Sequence, residues 1–62
     1  MSSAELIKRL QADGWVKQRT TGSHVTLSKP GVRKIITIPH PRKDSSKGII
    51  RQAQEISGLK LL

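Results

Sequence analysis

Apolar residues recur at helical spacing near the start of the chain. The apolar positions of this first segment are Leu6, Ile7 and Leu10. Their offsets place them on one stripe of a helix, with polar and charged residues on the remaining faces. Ser2 and Glu5 have the spacing of a capping box, so the pattern predicts a helix that begins at Ser3. Gly14 follows as a residue at which a helix can stop in left-handed geometry.

The same spacing returns toward the end of the chain and predicts a second amphipathic helix. Its apolar positions are Ile49, Ile50, Ala53 and Ile56. Asp44, Ser45 and Ser46 are all favourable N-cap residues, so we expect this helix to start within about two residues of Ser46. Gly58 is expected to end it.

Between the helices the pattern changes to the two-residue period of β-strands. The predicted strands cover residues 15–20, 24–28 and 32–38, and turns at 21–23 and 29–31 join them. The predicted order is helix, strand, strand, strand, helix, which is an α+β fold. In this fold a three-stranded antiparallel sheet carries two helices on one face.

Alternation within the second predicted strand assigns its side chains to the two sheet faces. Val25 and Leu27 are its apolar positions, so they should face the helices, and His24 should face the opposite way. Two isoleucines of the third predicted strand are assigned to the core, which leaves Ile35 facing outward beside the His24 face. An exposed isoleucine there would suit a protein partner, although a misassigned register explains it equally well.

The charge of the chain points to a polyanionic partner. The formal net charge is +8, from 12 Lys and Arg residues against four Asp and Glu residues. Nucleic acid is the first expectation. An acidic protein or an anionic membrane surface are the alternatives, but neither predicted helix sets a basic face against a broad apolar face, as membrane binding requires.

Trp15 is the only aromatic residue of the chain. Binding of RNA by base stacking needs aromatic platforms, so contact should run mostly through phosphates. We expect Trp15 to anchor the first helix to the sheet as a buried residue, with its indole N–H hydrogen-bonded.

The length of the chain and its lack of cysteine further restrict the class of protein to which it can belong. At 62 residues we expect a single domain over residues 1–62, near the lower size limit for a core without disulfides or metal. The absence of cysteine excludes a disulfide framework and a thiolate metal site, and it fits a reducing cytoplasm. No apolar run approaches the roughly 20 residues that span a bilayer. We therefore expect a cytoplasmic protein without a membrane segment.

His24 is the best-placed candidate for acid-base chemistry. Gly22 and Ser23 form the turn that delivers it to the first position of a strand. A neutral imidazole can accept a proton, and its protonated form can return one. Because the four carboxylates are scattered and His40 is the only other histidine, no metal site or cofactor is expected. A polar surface histidine without chemistry is the other interpretation of His24.

RNA cleavage is a reaction that one histidine in a basic surface can support. The 2′-hydroxyl is an internal nucleophile once a base removes its proton, and cations stabilise the charge that builds on the phosphate. The candidate phosphate-binding residues are Lys17, Arg19, Arg42, Lys43 and Lys47. The start of the second helix would add free backbone donors. A solvated basic surface explains the same cations equally well.

Several segments together resemble the HicA family of toxin mRNA interferases. They are the helix end at Gly14, Trp15, the Gly22 to His24 turn, the Thr37 to Pro41 segment and the Ser57 to Leu59 segment. The resemblance covers nearly the whole chain. It implies a fold like the double-stranded RNA-binding domain, ribosome-independent mRNA cleavage with His24 as the catalytic residue, and a HicB-type antitoxin that binds and covers the site. The proline-flanked histidine of the family falls on His40, for which we favour a structural role over a catalytic one.

The sequence leaves alternative functions open. The leading hypothesis is a metal-independent endoribonuclease toxin in which His24 acts as general acid or base. A non-catalytic module that binds double-stranded RNA by shape and phosphate contacts would share the fold order and the charge. A small basic protein whose only partner is an acidic protein is a further interpretation.

Overall fold

The computed structural model describes residues 1–62 and contains one sheet and two helices. The elements are α1 (Ser3–Ala12), β1 (Val16–Thr21), β2 (His24–Ser28), β3 (Ile36–Pro39) and α2 (Lys47–Ser57). The strands form an antiparallel sheet in the order β1-β2-β3, so β2 is central and has a paired neighbour on each side. The predicted order of elements and the α+β fold class are confirmed.

Both helices begin where their capping residues predicted. The Ser2 hydroxyl accepts the Glu5 N–H at 3.1 Å at the start of α1. The Ser46 hydroxyl accepts the Ile49 N–H at 3.3 Å at the start of α2. Each hydroxyl replaces a backbone acceptor that the first turn of a helix lacks. Neither helix has the length and apolar character that a membrane crossing needs.

The core lies between one face of the sheet and both helices. Its buried apolar residues are Leu6, Ile7, Leu10, Trp15, Val25, Leu27, Ile36, Ile38, Ile50, Ala53 and Leu61. Along β2 the buried residues Val25 and Leu27 alternate with more exposed neighbours, as the sequence predicted. Because both helices contribute to the same cluster, they cover the same sheet face. The opposite face, called the open face below, carries no helix.

β3 is shorter than the sequence predicted. Its ladder with β2 starts at Ile36, so the prediction of a strand from Val32 is wrong. The Val32 N–H instead donates to the Lys29 carbonyl at 3.0 Å, which closes a turn. Residues 32–35 are all exposed. The β-branched Val32 and Ile35 therefore do not form part of the sheet, although their residue type favours a strand. Ile36 and Ile38 are fully buried and Ile35 is exposed, as predicted.

Trp15 joins the core directly after α1. The residue is 2% exposed, and its backbone N–H donates to the Leu10 carbonyl at 3.1 Å. Its indole Nε1 is buried without a hydrogen-bond partner, so the expectation of a bonded indole is wrong. The other residues of the core cluster are aliphatic, and their side chains offer no acceptor.

A β-bulge in β1 reverses the facing of its side chains partway along the strand. Lys17 pairs with Leu27, and Arg19 pairs with the residue before Leu27, so Gln18 is an extra residue in β1. Directly paired residues share a sheet face. Lys17 therefore lies on the helix side of the sheet, as Trp15 does, whereas Arg19 lies on the open face.

Candidate functional site

His24 is the first residue of the central strand and lies on the open face. Its backbone is paired on both sides, with Thr21 of β1 and Pro39 of β3. The side chain is exposed, and its ring makes no hydrogen bond within the protein. The backbone is therefore fixed, while both ring nitrogens are available to a ligand.

The turn before His24 is defined by its own geometry and by a contact from the segment after β3. Thr21 and His24 are paired, which leaves Gly22 and Ser23 as a two-residue hairpin loop. Gly22 has a φ of 57°, the positive value that a type II′ turn needs at its first position. The His40 N–H donates to the Ser23 carbonyl at 2.7 Å. These contacts fix the position from which the His24 side chain projects.

The His40 side chain lies against α1. Because Pro39 pairs with His24 and shares its face, alternation directs the next residue to the other side of the sheet. His40 Nδ1 lies 2.7 Å from the Ser3 hydroxyl, and Ser3 is 1% exposed.

The same hydroxyl accepts the Arg42 N–H at 2.8 Å. The Ser3 N–H also donates to the Arg42 carbonyl at 3.0 Å, and the Ser45 N–H donates to the Met1 carbonyl at 2.8 Å. The buried hydroxyl and these backbone bonds together hold the segment after β3 against the start of α1.

A pocket of about 380 Å³ lies beside Pro39, the strand partner of His24. Its lining residues are Pro39, Arg42, Asp44, Ser45, Ser46, Lys47 and Ile49. Neighbouring strands lie about 4.8 Å apart, so only one strand separates His24 from the edge of this pocket. A ligand of a few nucleotides could contact both.

The start of α2 gives this pocket the character of an anion site. No hydrogen bond within the protein uses the N–H of Lys47 or Gly48, because the first turn of a helix leaves such donors free. The helix dipole adds partial positive charge at the same place, next to the Arg42 and Lys47 side chains. Asp44 also lines the pocket, but its carboxylate contacts the Met1 amino group at 3.0 Å.

The structure separates the basic residues that the sequence singled out. Arg42 and Lys47 line the pocket, and Arg19 lies on the same open face as the histidine. Lys43 is exposed but does not line the pocket. Lys17 faces the other side of the sheet because the bulge lies between it and Arg19. Arg19, Arg42 and Lys47 are therefore the cations that could act on one ligand together with the histidine.

The structure contains no cluster of side chains that could bind a metal ion. No group of three or more His, Asp or Glu side chains is placed to hold a metal ion. His24 projects from the open face, whereas the His40 ring contacts Ser3 of α1. The histidines therefore do not form a shared site.

Ser3 and Pro39 are parts of this arrangement that the sequence did not single out. Ser3 was predicted only as the first residue of α1, and its contact with Arg42, 39 positions away, leaves no local signal. Pro39 was named only as part of the Thr37 to Pro41 segment that resembles the HicA family. Pro39 pairs with His24 in the sheet and also lines the pocket.

The fold and the site together define a small basic α+β protein with one exposed histidine beside a pocket at the start of α2 that Arg42 and Lys47 line. The family model described as "HicA toxin of bacterial toxin-antitoxin" matches residues 3–59. The chain therefore belongs to the HicA toxin family.

A solved structure supports the same assignment. The chain matches a chain of the "HicA3 and HicB3 toxin-antitoxin complex" with 64% sequence identity and a TM-score of 0.86, over 100% of both chains. Comparison with curated protein sequences gives no match. The likeness to the HicA3 complex confirms the fold at the level of the whole chain.

Proposed function

We propose that this chain is the toxin of a toxin-antitoxin pair and acts as a metal-independent endoribonuclease on mRNA. His24 is its general acid and base. The observation that carries the proposal is an exposed imidazole without internal hydrogen bonds, one strand away from a basic pocket. Membership of the HicA toxin family supports the toxin part of the proposal.

His24 can serve both proton transfers of RNA cleavage. As neutral imidazole it removes the proton from a ribose 2′-hydroxyl, and the 2′-oxygen attacks the adjacent phosphorus. The O2′–P bond forms, the P–O5′ bond breaks, and the imidazolium returns its proton to the leaving 5′-oxygen. The products are a 2′,3′-cyclic phosphate and a 5′-hydroxyl. The reaction consumes no water and needs no metal-bound nucleophile.

Arg19, Arg42 and Lys47 are the proposed phosphate contacts nearest the reaction. A phosphate neighbouring the scissile one would bind in the pocket, where the free amides of the α2 start add donors. Cations beside the scissile phosphate stabilise the negative charge that builds in the transition state. Lys43 is proposed as an outer contact along the RNA strand, since it is exposed but lies outside the pocket. Lys17 faces the helix side of the sheet and is not assigned to this contact.

The residues around the turn are proposed to position His24 rather than to react. Gly22 supplies the backbone angle that starts the strand at the histidine, and Ser23 receives the His40 N–H. The His40 ring contacts Ser3 rather than the open face, which favours a structural role for it.

The proposed protein partner is a HicB-type antitoxin. HicA3 of the matched structure forms a complex with HicB3. The net charge of +8 favours a partner with an acidic surface. A protein bound over the open face would keep RNA away from His24.

The deciding measurement is RNA cleavage by the wild type and by His24→Ala with a chelator present. We expect His24→Ala to lose roughly 100-fold or more in rate, because it lacks the proton-transfer group. Its RNA affinity and free energy of unfolding should be retained, since the His24 side chain is exposed and unbonded. Thr26→Ala is the matched control, because Thr26 lies on the same strand and the same face but cannot titrate.

Equal cleavage by the wild type and His24→Ala would contradict the proposed role of the histidine. Cleavage that stops when the chelator is added would contradict a metal-independent reaction. If RNA is bound but never cut, and toxicity in cells is unchanged in His24→Ala, the chain is a non-catalytic double-stranded RNA-binding module instead.

A further inference from the structure

Ser45 is a buried residue whose hydroxyl has no partner inside the protein. The residue is 8% exposed, and its hydroxyl oxygen forms no hydrogen bond. Ser3, the other buried polar residue, uses its hydroxyl in contacts with two residues of the segment after β3. A buried hydroxyl without a partner lowers the free energy of unfolding, because it has lost water and gained nothing in return. Serine at position 45 therefore costs stability, and alanine would serve the fold at least as well.

Ser45 lies at the base of the pocket beside the start of α2. It is the only buried residue among the 7 that line this pocket, so the more exposed residues form the walls. A serine hydroxyl is placed by a single side-chain torsion, and this hydroxyl has no internal bond to break. Rotation about that torsion can therefore present the hydroxyl to a ligand in the pocket without loss of an internal hydrogen bond.

The groups around Ser45 are mainly hydrogen-bond donors and cations. The backbone N–H groups of residues 46–48 have no acceptor within the protein. Arg42 and Lys47 line the pocket, and neither takes part in an ion pair. Asp44 is the one acidic lining residue, and its carboxylate already contacts the amino group of the N-terminus at 3.0 Å. The pocket therefore offers several donors and two unpaired positive charges to one ligand.

This donor set favours a phosphate group. A neutral ligand would leave the charges of Arg42 and Lys47 without a counter-charge. A phosphate group carries negative charge and acceptor oxygens in a tetrahedral arrangement, so donors at the base and at the walls of a pocket can bind it together. RNA bound at His24 passes within one strand of the pocket, because Pro39 is both the strand partner of His24 and a lining residue.

We propose that the Ser45 hydroxyl binds a backbone phosphate of RNA at the base of this pocket, together with the free amides of the α2 start. This phosphate is a neighbour of the one that is cleaved beside His24, so Ser45 contributes to binding and not to proton transfer. The hydroxyl that lowers the stability of the free protein gains its partner only when RNA is bound. The inference rests on the proposed function for the identity of the ligand, and it deepens that function by naming a group that holds the substrate.

The test compares Ser45→Ala with Ser57→Ala, which is the same change at the opposite end of α2. The Ser57 hydroxyl accepts the Leu59 N–H at 3.1 Å, so it has an internal partner. The first probe is inorganic phosphate, titrated at constant ionic strength with chloride as the balancing anion. The second probe is a 2′-O-methyl oligoribonucleotide, which keeps the backbone phosphates but lacks the nucleophile. Urea denaturation with and without phosphate gives the free energy of unfolding, and cleavable RNA gives kcat and KM.

We expect Ser45→Ala without phosphate to be at least as stable as the wild type, because the change removes an unpaired buried hydroxyl. Its affinity for the 2′-O-methyl oligonucleotide should fall about tenfold, the effect of losing one hydrogen bond to a charged group. Phosphate should stabilise the wild type and Ser57→Ala, but Ser45→Ala much less. The KM for RNA should rise about tenfold in Ser45→Ala while kcat stays unchanged, because the lost contact is the same in the ground state and the transition state.

Three results would overturn the inference while leaving the nuclease proposal intact. The first is a loss of stability in Ser45→Ala, which would assign the hydroxyl to the fold. The second is an unchanged affinity of Ser45→Ala for the oligonucleotide. The third is dependence on Ser45 for inorganic phosphate alone, which would assign the pocket to a free ion.

A different result would separate the inference from the nuclease proposal. If the wild type binds RNA but never cleaves it, and the affinity for the oligonucleotide still depends on Ser45, the nuclease proposal fails and this inference stands.

Discussion

Replacing Ser3 by alanine tests whether one buried hydroxyl holds the segment that carries Arg42. The Ser3 hydroxyl accepts the Arg42 N–H at 2.8 Å and lies 2.7 Å from His40 Nδ1. Ser3→Ala removes a single oxygen and leaves both groups without a protein partner. A polar group left unpaired at a buried position costs about 1–3 kcal/mol. Because Arg42 and His40 are themselves partly exposed, we expect a total loss of about 2–3 kcal/mol in the free energy of unfolding.

The neighbouring serine provides the matched control. Ser2 caps α1 through one hydrogen bond to the Glu5 N–H, and loss of such a cap costs about 1 kcal/mol. Ser2→Ala and Ser3→Ala make the same chemical change, but only Ser3 has helical backbone geometry, so the higher helix propensity of alanine offsets a few tenths of a kcal/mol in Ser3→Ala alone. The predicted difference between them, about 1–2 kcal/mol, measures the long-range contacts of Ser3.

Urea denaturation followed by the fluorescence of Trp15, the only tryptophan of the chain, is the assay. A loss of about 2–3 kcal/mol corresponds to a fall in Tm of roughly 8–24 °C for a domain of this size. RNA cleavage by the folded Ser3→Ala variant should fall only modestly, because the backbone N–H of residue 3 still donates to the Arg42 carbonyl at 3.0 Å. If Ser3→Ala is no less stable than Ser2→Ala, solvent replaces the hydroxyl without cost and the network does not hold the segment.

Further predictions concern the turn and the pocket. Gly22→Ala should lose about 1–2 kcal/mol in the free energy of unfolding because alanine is strained at a φ of 57°. Gly48→Ala, in open space at a helical position, should be neutral or stabilising; equal effects of both changes would refute the turn argument. Arg42→Ala and Lys47→Ala should each reduce the slope of log affinity for RNA against log salt by about 1. Lys29→Ala should leave that slope unchanged because Lys29 already contacts Asp13 at 3.1 Å, and an equal fall in all three variants would indicate a diffuse basic surface.

Features that depend on neighbouring residues could be predicted from the sequence. The starts of both helices were predicted because a serine cap acts within three positions. The face of His24 was predicted because Val25 and Leu27 fix the alternation of a short strand. The confirmed fold order follows from these local signals together with the turns.

Features that depend on distant contacts could not be predicted. The strand expected from Val32 failed because β-branched composition does not reveal where the partner strand ends. The Trp15 indole has no hydrogen-bond acceptor because the side chains of the surrounding core are aliphatic. A local sequence pattern does not show which side chains will surround a buried residue. The candidate pocket combines Pro39 with the start of α2, and the contact that holds its Arg42 spans 39 positions.

The bulge at Gln18 decides how β1 can change in length. With strict alternation over the same number of residues, Trp15 and Arg19 would fall on the same face of the sheet, so the extra residue is what lets the tryptophan be buried while the arginine lies beside His24. Deleting Gln18 would remove the bulge and restore strict alternation, and the two residues would still face opposite sides of the sheet. During divergence, substitution or loss of Gln18 should therefore be tolerated, whereas an insertion of one residue without a second bulge would move one of them to the wrong face and should be eliminated.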